Sequence, residues 1–400
     1  MMTYRERMLA TLRGQQTDFI PFVPRLDLWY KANKYKGTLP DKYRNATLMQ
    51  IVEDMDIGYH AVITDKEAFD DYLDIIDRPL GIWRVHQCPW AAKMKKVKRN
   101  ISYQGDTTVV EYLTPAGNLM TRVLYNESMK AAGVTLTHVE EFPIKNVTDY
   151  DAMGYIFENM EVVPAYDGIQ RIKEEVGERG LVTGVGTLGG SAMHHIIHEL
   201  MPYDLFFFEY YDHYDELLRL AERMQPFMDK VLDIAIKSPA DIVFIGSNFD
   251  SQVTWPPFVG EHVVPNLAAA ADKVHAAGKF LLCHTDGENK GLLPHFIASK
   301  FDIADSICPA PMTSYTLKEI RDAFNGNHIT IWGGVPSVSV LESSMSDYEF
   351  DAFIDDLFST QIGQADHLIL SIADTAPPAM KWSRLERIAK MAKEFGPVRP

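Results

Sequence analysis

Residues 279–291 read KFLLCHTDGENKG, an apolar run that stops at His284, Thr285 and Asp286 just ahead of a glycine turn. Seven further runs of the same kind stand along the chain: FIPFVPRL (19–26), YHAVIT (59–64), GLVTGVG (180–186), DIVFIGS (241–247), IADSICP (303–309), HITIWGG (328–334) and HLILSIA (367–373). Each is a short β-branched or apolar strand candidate followed by a helical stretch. That alternation is the signature of parallel strands joined by crossover helices. Eight such units predict an α/β fold, a TIM-like (β/α)8 barrel, with its active face at the strand C-termini where loops from different strands converge.

One stretch interrupts the rhythm. Between the second and third strands, residues 93–126 include VKRNISYQGDTTVVEYLTPAGNLMTRVLYN, which alternates polar and apolar residues around the turns QGD and PAGN. This predicts an inserted β-hairpin or meander, either a structural flap or a wall of the barrel mouth. The 400 residues, 46% of them apolar, suffice for one large barrel domain over 1–400 without a second core. A net charge of −16 would repel phosphate backbones and anionic lipid, so neither nucleic acid nor a membrane is expected as a partner. No apolar run reaches the roughly 18 residues of a spanning helix. The charged N-terminus MMTYRERMLATLRG lacks the apolar stretch of a signal peptide. Three cysteines, Cys88, Cys283 and Cys308, fit a reducing compartment, and the expected location is cytoplasmic.

The predicted strand ends carry the chemistry. Residues two apart on a strand point the same way, so His284 and Asp286 face the barrel axis together, either as metal ligands or as an acid-base pair. The bland reading is a polar pair that closes the strand. Cys308 ends the sixth strand and Asp374 follows the eighth; alone, one reads as a small buried side chain and the other as a turn former. With His284 and Asp286 they make a nitrogen, oxygen and sulfur set that suits zinc with one position open. Asn248, Asp250 and Ser251 follow the fourth strand. Asp250 is a candidate catalytic carboxylate and the other two are candidate substrate contacts, against the alternative of a loop held by its own side chains. Arg25 and Asp27 end the first strand as substrate contacts or a structural ion pair. GVGTLGGSAMHH (184–195) offers backbone amides for an anion but matches no phosphate-binding fingerprint. Trp332, with Trp29, Tyr30, Trp83 and Trp255, either lines a pocket for a flat ligand or belongs to core and rim.

Taken in order, these segments resemble the uroporphyrinogen decarboxylase superfamily, and within it the cobalamin-dependent methyltransferase branch. The resemblance runs from TYRERMLATLRGQQTDFIPF (3–22) through HELMPYDLFFFEYYDHYDELLRLAERM (198–224) to LLCHTDG (281–287), ITIWGGVP (329–336) and ILSIADTAPP (369–378). It implies a TIM-like barrel with its site at the strand C-termini. The decarboxylases carry R-Q-A-G-R-Y after the first strand to hold an acidic porphyrinogen. Here that place reads PRLDLWYKANKY (24–35), which disfavours porphyrinogen decarboxylation. The methylcobamide:coenzyme M methyltransferases of the branch bind zinc through H-x-C and a later cysteine, where this chain has His284, Asp286 and Asp374. Carboxylates in place of thiolates suit a Lewis acid acting on an ether oxygen better than one that presents a thiol.

The resemblance therefore implies a methyltransferase of the O-demethylase kind. It would pass a methyl group from a small methylated, most plainly methoxylated, substrate to the Co(I) of cobalamin on a separate corrinoid protein. The alternatives are a decarboxylase or lyase on a small acid, and a non-catalytic barrel that binds a corrinoid protein or small ligand. A homodimer stays open as the assembly.

Overall fold

The computed structural model describes residues 2–62, 76–83, 85, 87–134 and 136–399. Its strands are β1 (Trp90–Met94), β2 (Lys98–Gln104), β3 (Thr107–Thr114), β4 (Gly117–Leu124), β5 (His138–Glu141), β6 (Met160–Pro164), β7 (Thr183–Val185), β8 (Ile242–Phe244), β9 (Phe280–His284), β10 (Ile303–Ile307), β11 (Thr330–Pro336) and β12 (Leu368–Ala373). The last six form one parallel sheet in the order β12-β11-β10-β9-β8-β7, with helices between successive strands. Their side chains are buried almost without exception, because a parallel sheet covered on both faces offers no wet side.

Five of these six strands fall within runs read from the sequence, and the sixth, β11, starts in its run (328–334) and continues to Pro336. The other two runs border the same sheet as single parallel bridges, Phe22 with Leu370 beside β12 and Ala61 with Val182 beside β7. Gly58 donates its N–H to the Phe22 carbonyl at 2.9 Å, which links the first segment to the second. The last two residues of YHAVIT, 63–64, lie outside the described residues.

Register places the chemistry. Asp305 of β10 stands between His284 of β9 and Trp332 of β11, and a bulge follows at Ser306, whose φ is 59°. Gly333 lies against this bulge; a Cβ there would come within 2.5 Å of the Ile307 carbonyl oxygen, so only glycine lets β11 approach.

The interruption is larger than the sequence indicated. β2 to β5 form a four-stranded antiparallel meander, and β1 pairs with β6 across a register of Trp90 with Pro164. β5, HVEE, is short and polar and gives no alternating signal, while the β1–β6 pairing joins segments too far apart to read locally. Tyr112 of β3, fully buried, donates its hydroxyl to the Ile76 carbonyl at 2.8 Å and ties the meander to the rest of the chain. Two successive helices follow β7, Tyr203–Asp212 and Tyr214–Lys237. Leu217, Leu220, Met224, Phe227, Val231 and Leu232 mark the buried stripe of the second at the spacing a packed helix requires. Among the described residues no helix is long and apolar enough to cross a membrane.

Candidate metal and acid-base site

The site forms where β9, β10 and β12 end. His284 is the last residue of β9, and Asp286 lies two residues on in the turn. Glycine shapes that turn, since a Cβ at Gly287 would meet the Phe249 carbonyl oxygen at 2.5 Å and Asp250 at 2.8 Å. Thr285 donates its N–H to the Asp305 carbonyl at 2.7 Å, and Asn289 reaches back to the Thr285 carbonyl at 3.0 Å. Asp374 follows β12 directly.

His284 is buried and both ring nitrogens face carboxylates. Nδ1 lies 2.7 Å from Asp305 Oδ2, and Nε2 lies 3.6 Å from Asp286 Oδ2 and 3.5 Å from Asp374 Oδ1. Ligand atoms of His284, Asp286 and Asp374 all lie within 4.8 Å of one another. A carboxylate on the far nitrogen of a ligating imidazole is the usual arrangement of a histidine-metal site, because it fixes the tautomer and turns the free nitrogen toward the ion. Asp305 in turn lies 3.7 Å from His60 Nε2, and the His60 ring packs edge-on to Trp332 at 4.8 Å between centroids.

Electrostatics favour a cation here. Burial alone would lower the His284 pKa, but Asp286, with Asp305 and Asp374, raises it well above the ordinary histidine value. Burial pushes Asp286 up, and His284 outweighs it, holding that carboxyl below its usual range. Asp305 is likewise lowered despite its burial, by the hydrogen bond with His284 and the nearby His60 ring. Asp286 Oδ1 is buried with no hydrogen-bond partner, a costly state for a carboxylate oxygen that a bound ion would relieve.

The other residues singled out in the sequence divide cleanly. Arg25 enters the site: its Nη1 lies 3.1 Å from Asp374 Oδ1, and its Nε donates to Asp27 Oδ1 at 3.0 Å. Cys308 lies outside the three-residue cluster. Its thiol contacts Met312 Sδ at 3.5 Å and the Ala373 carbonyl at 3.9 Å, and burial, with Asp286 and Asp374, pushes it up to about 12.

Asp250 is committed to its loop, accepting the N–H of Gln252 at 2.8 Å and of Glu288 at 3.0 Å. Ser251 is bound through its backbone to the Glu288 carbonyl, and Asn248 is exposed with a left-handed φ of 53°. Trp332 is fully buried and donates its indole N–H to the Val23 carbonyl at 3.1 Å, a core position. Trp29 stacks on Trp382, Tyr30 donates to the Ala46 carbonyl, Trp83 lies under Arg78, and Trp255 packs on Phe207 and Phe258.

Sequence reasoning missed Asp305 and His60. Asp305 is the one acidic residue inside IADSICP, and such a side chain at a buried strand position was the available signal. His60 gave none beyond its place in a strand candidate. No family model matches the chain, and no curated protein matches it either.

Proposed function

We propose that the chain is an enzyme whose eight strand segments close into a TIM-like barrel, and that it transfers a methyl group from a small methyl ether to the Co(I) of a separate corrinoid protein. Closure is supported by the two bridges that flank the parallel sheet and by the Gly58 to Phe22 hydrogen bond between the outer segments. The observation that carries the activity is the His284, Asp286 and Asp374 cluster with Asp305 behind it. Methyl transfer itself comes from the resemblance to corrinoid-dependent methyltransferases, in which a metal site of this kind stands at the same strand ends. The corrinoid protein and the ether are the two substrates, and a cytoplasmic location follows the same reading.

The residues fit a divalent metal. One imidazole and two carboxylates form a hard donor set of the type that zinc accepts in catalytic sites, with a coordination position left for substrate. Bound there, such an ion would supply Lewis acidity toward an ether oxygen, whose leaving group is otherwise poor. Asp305 keeps His284 Nδ1 occupied, so that Nε2 is the nitrogen offered to the cluster. Arg25 holds Asp374 in place and balances part of the carboxylate charge. Without an ion, the raised pKa of His284 makes its Nε2–H a proton donor for the leaving oxygen between Asp286 and Asp374.

The test is a turnover assay with purified chain, Co(I) corrinoid protein and a panel of methoxylated aromatics, betaines and methylamines. Methyl-Co(III) formed with the ethers alone, and lost in Asp286→Ala, is the expected result. Carbon dioxide released from a small acid without corrinoid would instead support the decarboxylase reading.

A further inference from the structure

The helix Tyr203–Asp212 stands between the turn that follows β7 and the long helix Tyr214–Lys237, and it has one face built in and one left open. Phe206 and Glu209 form the inner face: Phe206 packs edge-on to Phe258, and Glu209 accepts the Tyr150 hydroxyl at 2.6 Å. The outer face carries Tyr203, Phe207, Phe208 and Tyr211, neighbours at helical spacing. Phe208 is 69% exposed and Tyr211 78%. Single exposed apolar side chains are ordinary, but adjoining aromatic rings on one helix face have the composition of an interface centre.

Contacts place this helix at the rim of the His284 site. The Phe207 and Tyr210 rings lie 5.2 and 5.3 Å from Trp255 between centroids. Trp255 follows the loop after β8, which Thr254 closes by donating its N–H to the Asp250 carbonyl at 2.7 Å. Asp250 in turn accepts the Glu288 N–H at 3.0 Å, and a Cβ at Gly287, next to Asp286, would meet Asp250 at 2.8 Å. The aromatic face is thus packed on the β8 loop, and that loop on the turn that carries Asp286.

The charge of this face is one-sided. No lysine or arginine stands between Arg179 and Arg219. Glu216, on the next helix, pairs with Arg219 at 2.9 Å, whereas the exposed Asp204, Asp212 and Asp215 have no ion-pair partner among the described residues. A second copy of the chain, with its net charge of −16, would bring the same acids against themselves.

Resting on the demethylase reading, we infer that the outer face of Tyr203–Asp212 is the docking surface for the corrinoid protein, and that it takes an apolar patch ringed by lysine and arginine. Co(I) reaches a methyl carbon held at the cluster only if the protein that carries it rests on the loops around that cluster, where this face offers both apolar area and charge. Phe208 and Tyr211 supply the centre of the contact. Asp204, Asp212 and Asp215 supply the rim that steers the encounter.

Equilibrium binding of the corrinoid protein to the purified chain tests the inference, read beside methyl transfer from methoxylated aromatics to free cob(I)alamin. The wild type is expected to bind, with a Kd that rises about tenfold between about 0.05 and 0.5 M salt. Phe208→Ser and Tyr211→Ser, both at exposed positions, are each expected to raise the Kd about tenfold, and Asp212→Lys about threefold, with melting curves like that of the wild type. A wild type that does not bind overturns the inference, as does an unchanged Kd in the folded variants. So does a dimer of the chain that Phe208→Ser dissociates, because a second copy then occupies the face. Methyl transfer to free cob(I)alamin alongside any of those three results leaves the demethylase reading standing. Binding that the variants weaken, without methyl transfer to either cobalt acceptor, keeps the surface and removes that reading.

Discussion

Asp305 accepts from His284 at 2.7 Å from a buried strand position, and its work is orientation rather than ligation. Asp305→Ala is therefore expected to leave all three ligands in place and to weaken zinc binding about 10- to 100-fold, the usual cost of losing the carboxylate behind a ligating histidine. Competition with a chromophoric chelator measures it, and an unchanged affinity would remove Asp305 from the site. The pH dependence has a definite sign. A metal takes only the neutral imidazole, and Asp286, with Asp305 and Asp374, holds the His284 pKa above its ordinary value against burial, so protons compete with the ion at neutral pH. Zinc affinity should rise by about tenfold per pH unit while pH stays below that raised pKa, one proton being released per ion bound. Of this site, His284, Asp286, Asp374 and Arg25 were legible because each sits at or just past the end of an apolar run in the sequence. Asp305 and His60 were hidden inside strands, where a polar residue reads as an interruption until the neighbouring strand is in place. Cys308 also ends a strand, and the three grouped residues do not include it, because strand position says nothing of where a thiol points.

At the level of elements, the parallel strands were readable because burial on both faces leaves an uninterrupted apolar run in each. The first segment, FIPFVPRL, carries Pro21 and Pro24, which have no N–H to give a ladder, and it contributes a single bridge rather than a strand. The meander was half visible. Its turns at Gly105 and at Pro115 and Ala116 signal β2 to β4, whereas β5 and the β1–β6 pair depend on contacts distant in sequence. Two outcomes belong to this scale. Gly333→Ala should destabilise the fold by about 1–3 kcal/mol, since the added methyl meets the Ile307 carbonyl and the backbone φ of 154° strains any side chain. Tyr112→Phe should cost about 1–2 kcal/mol through the lost hydroxyl bond that fastens the meander to Ile76. Chemical denaturation reads both, and no change in either midpoint would contradict the packing described.

For the molecule as a whole, two buried ionic centres stand out: the His284, Asp286 and Asp374 cluster past β9 and β12, open to a cation, and Glu199 in the turn after β7, paired with Arg78 and His198. The second centre also sets an acid limit on the fold. Glu199 has a folded pKa of about 2 against an ordinary 4.5, so its contribution is present above pH 4.5 and is lost as pH falls from there toward 2. The unfolding free energy should drop across that window, with a flatter slope in Glu199→Gln; parallel slopes would show that the pair with Arg78 contributes nothing. Everything said of reactivity depends on the first centre. The most direct measurement is the zinc content of the purified protein after equilibration with the ion at pH 8 and removal of excess. The result expected is about one zinc per chain, as for a single catalytic site, falling to near zero in His284→Ala. A wild-type chain that emerges free of zinc, or a His284→Ala chain that keeps it, would contradict the assignment of His284, Asp286 and Asp374 as a metal site.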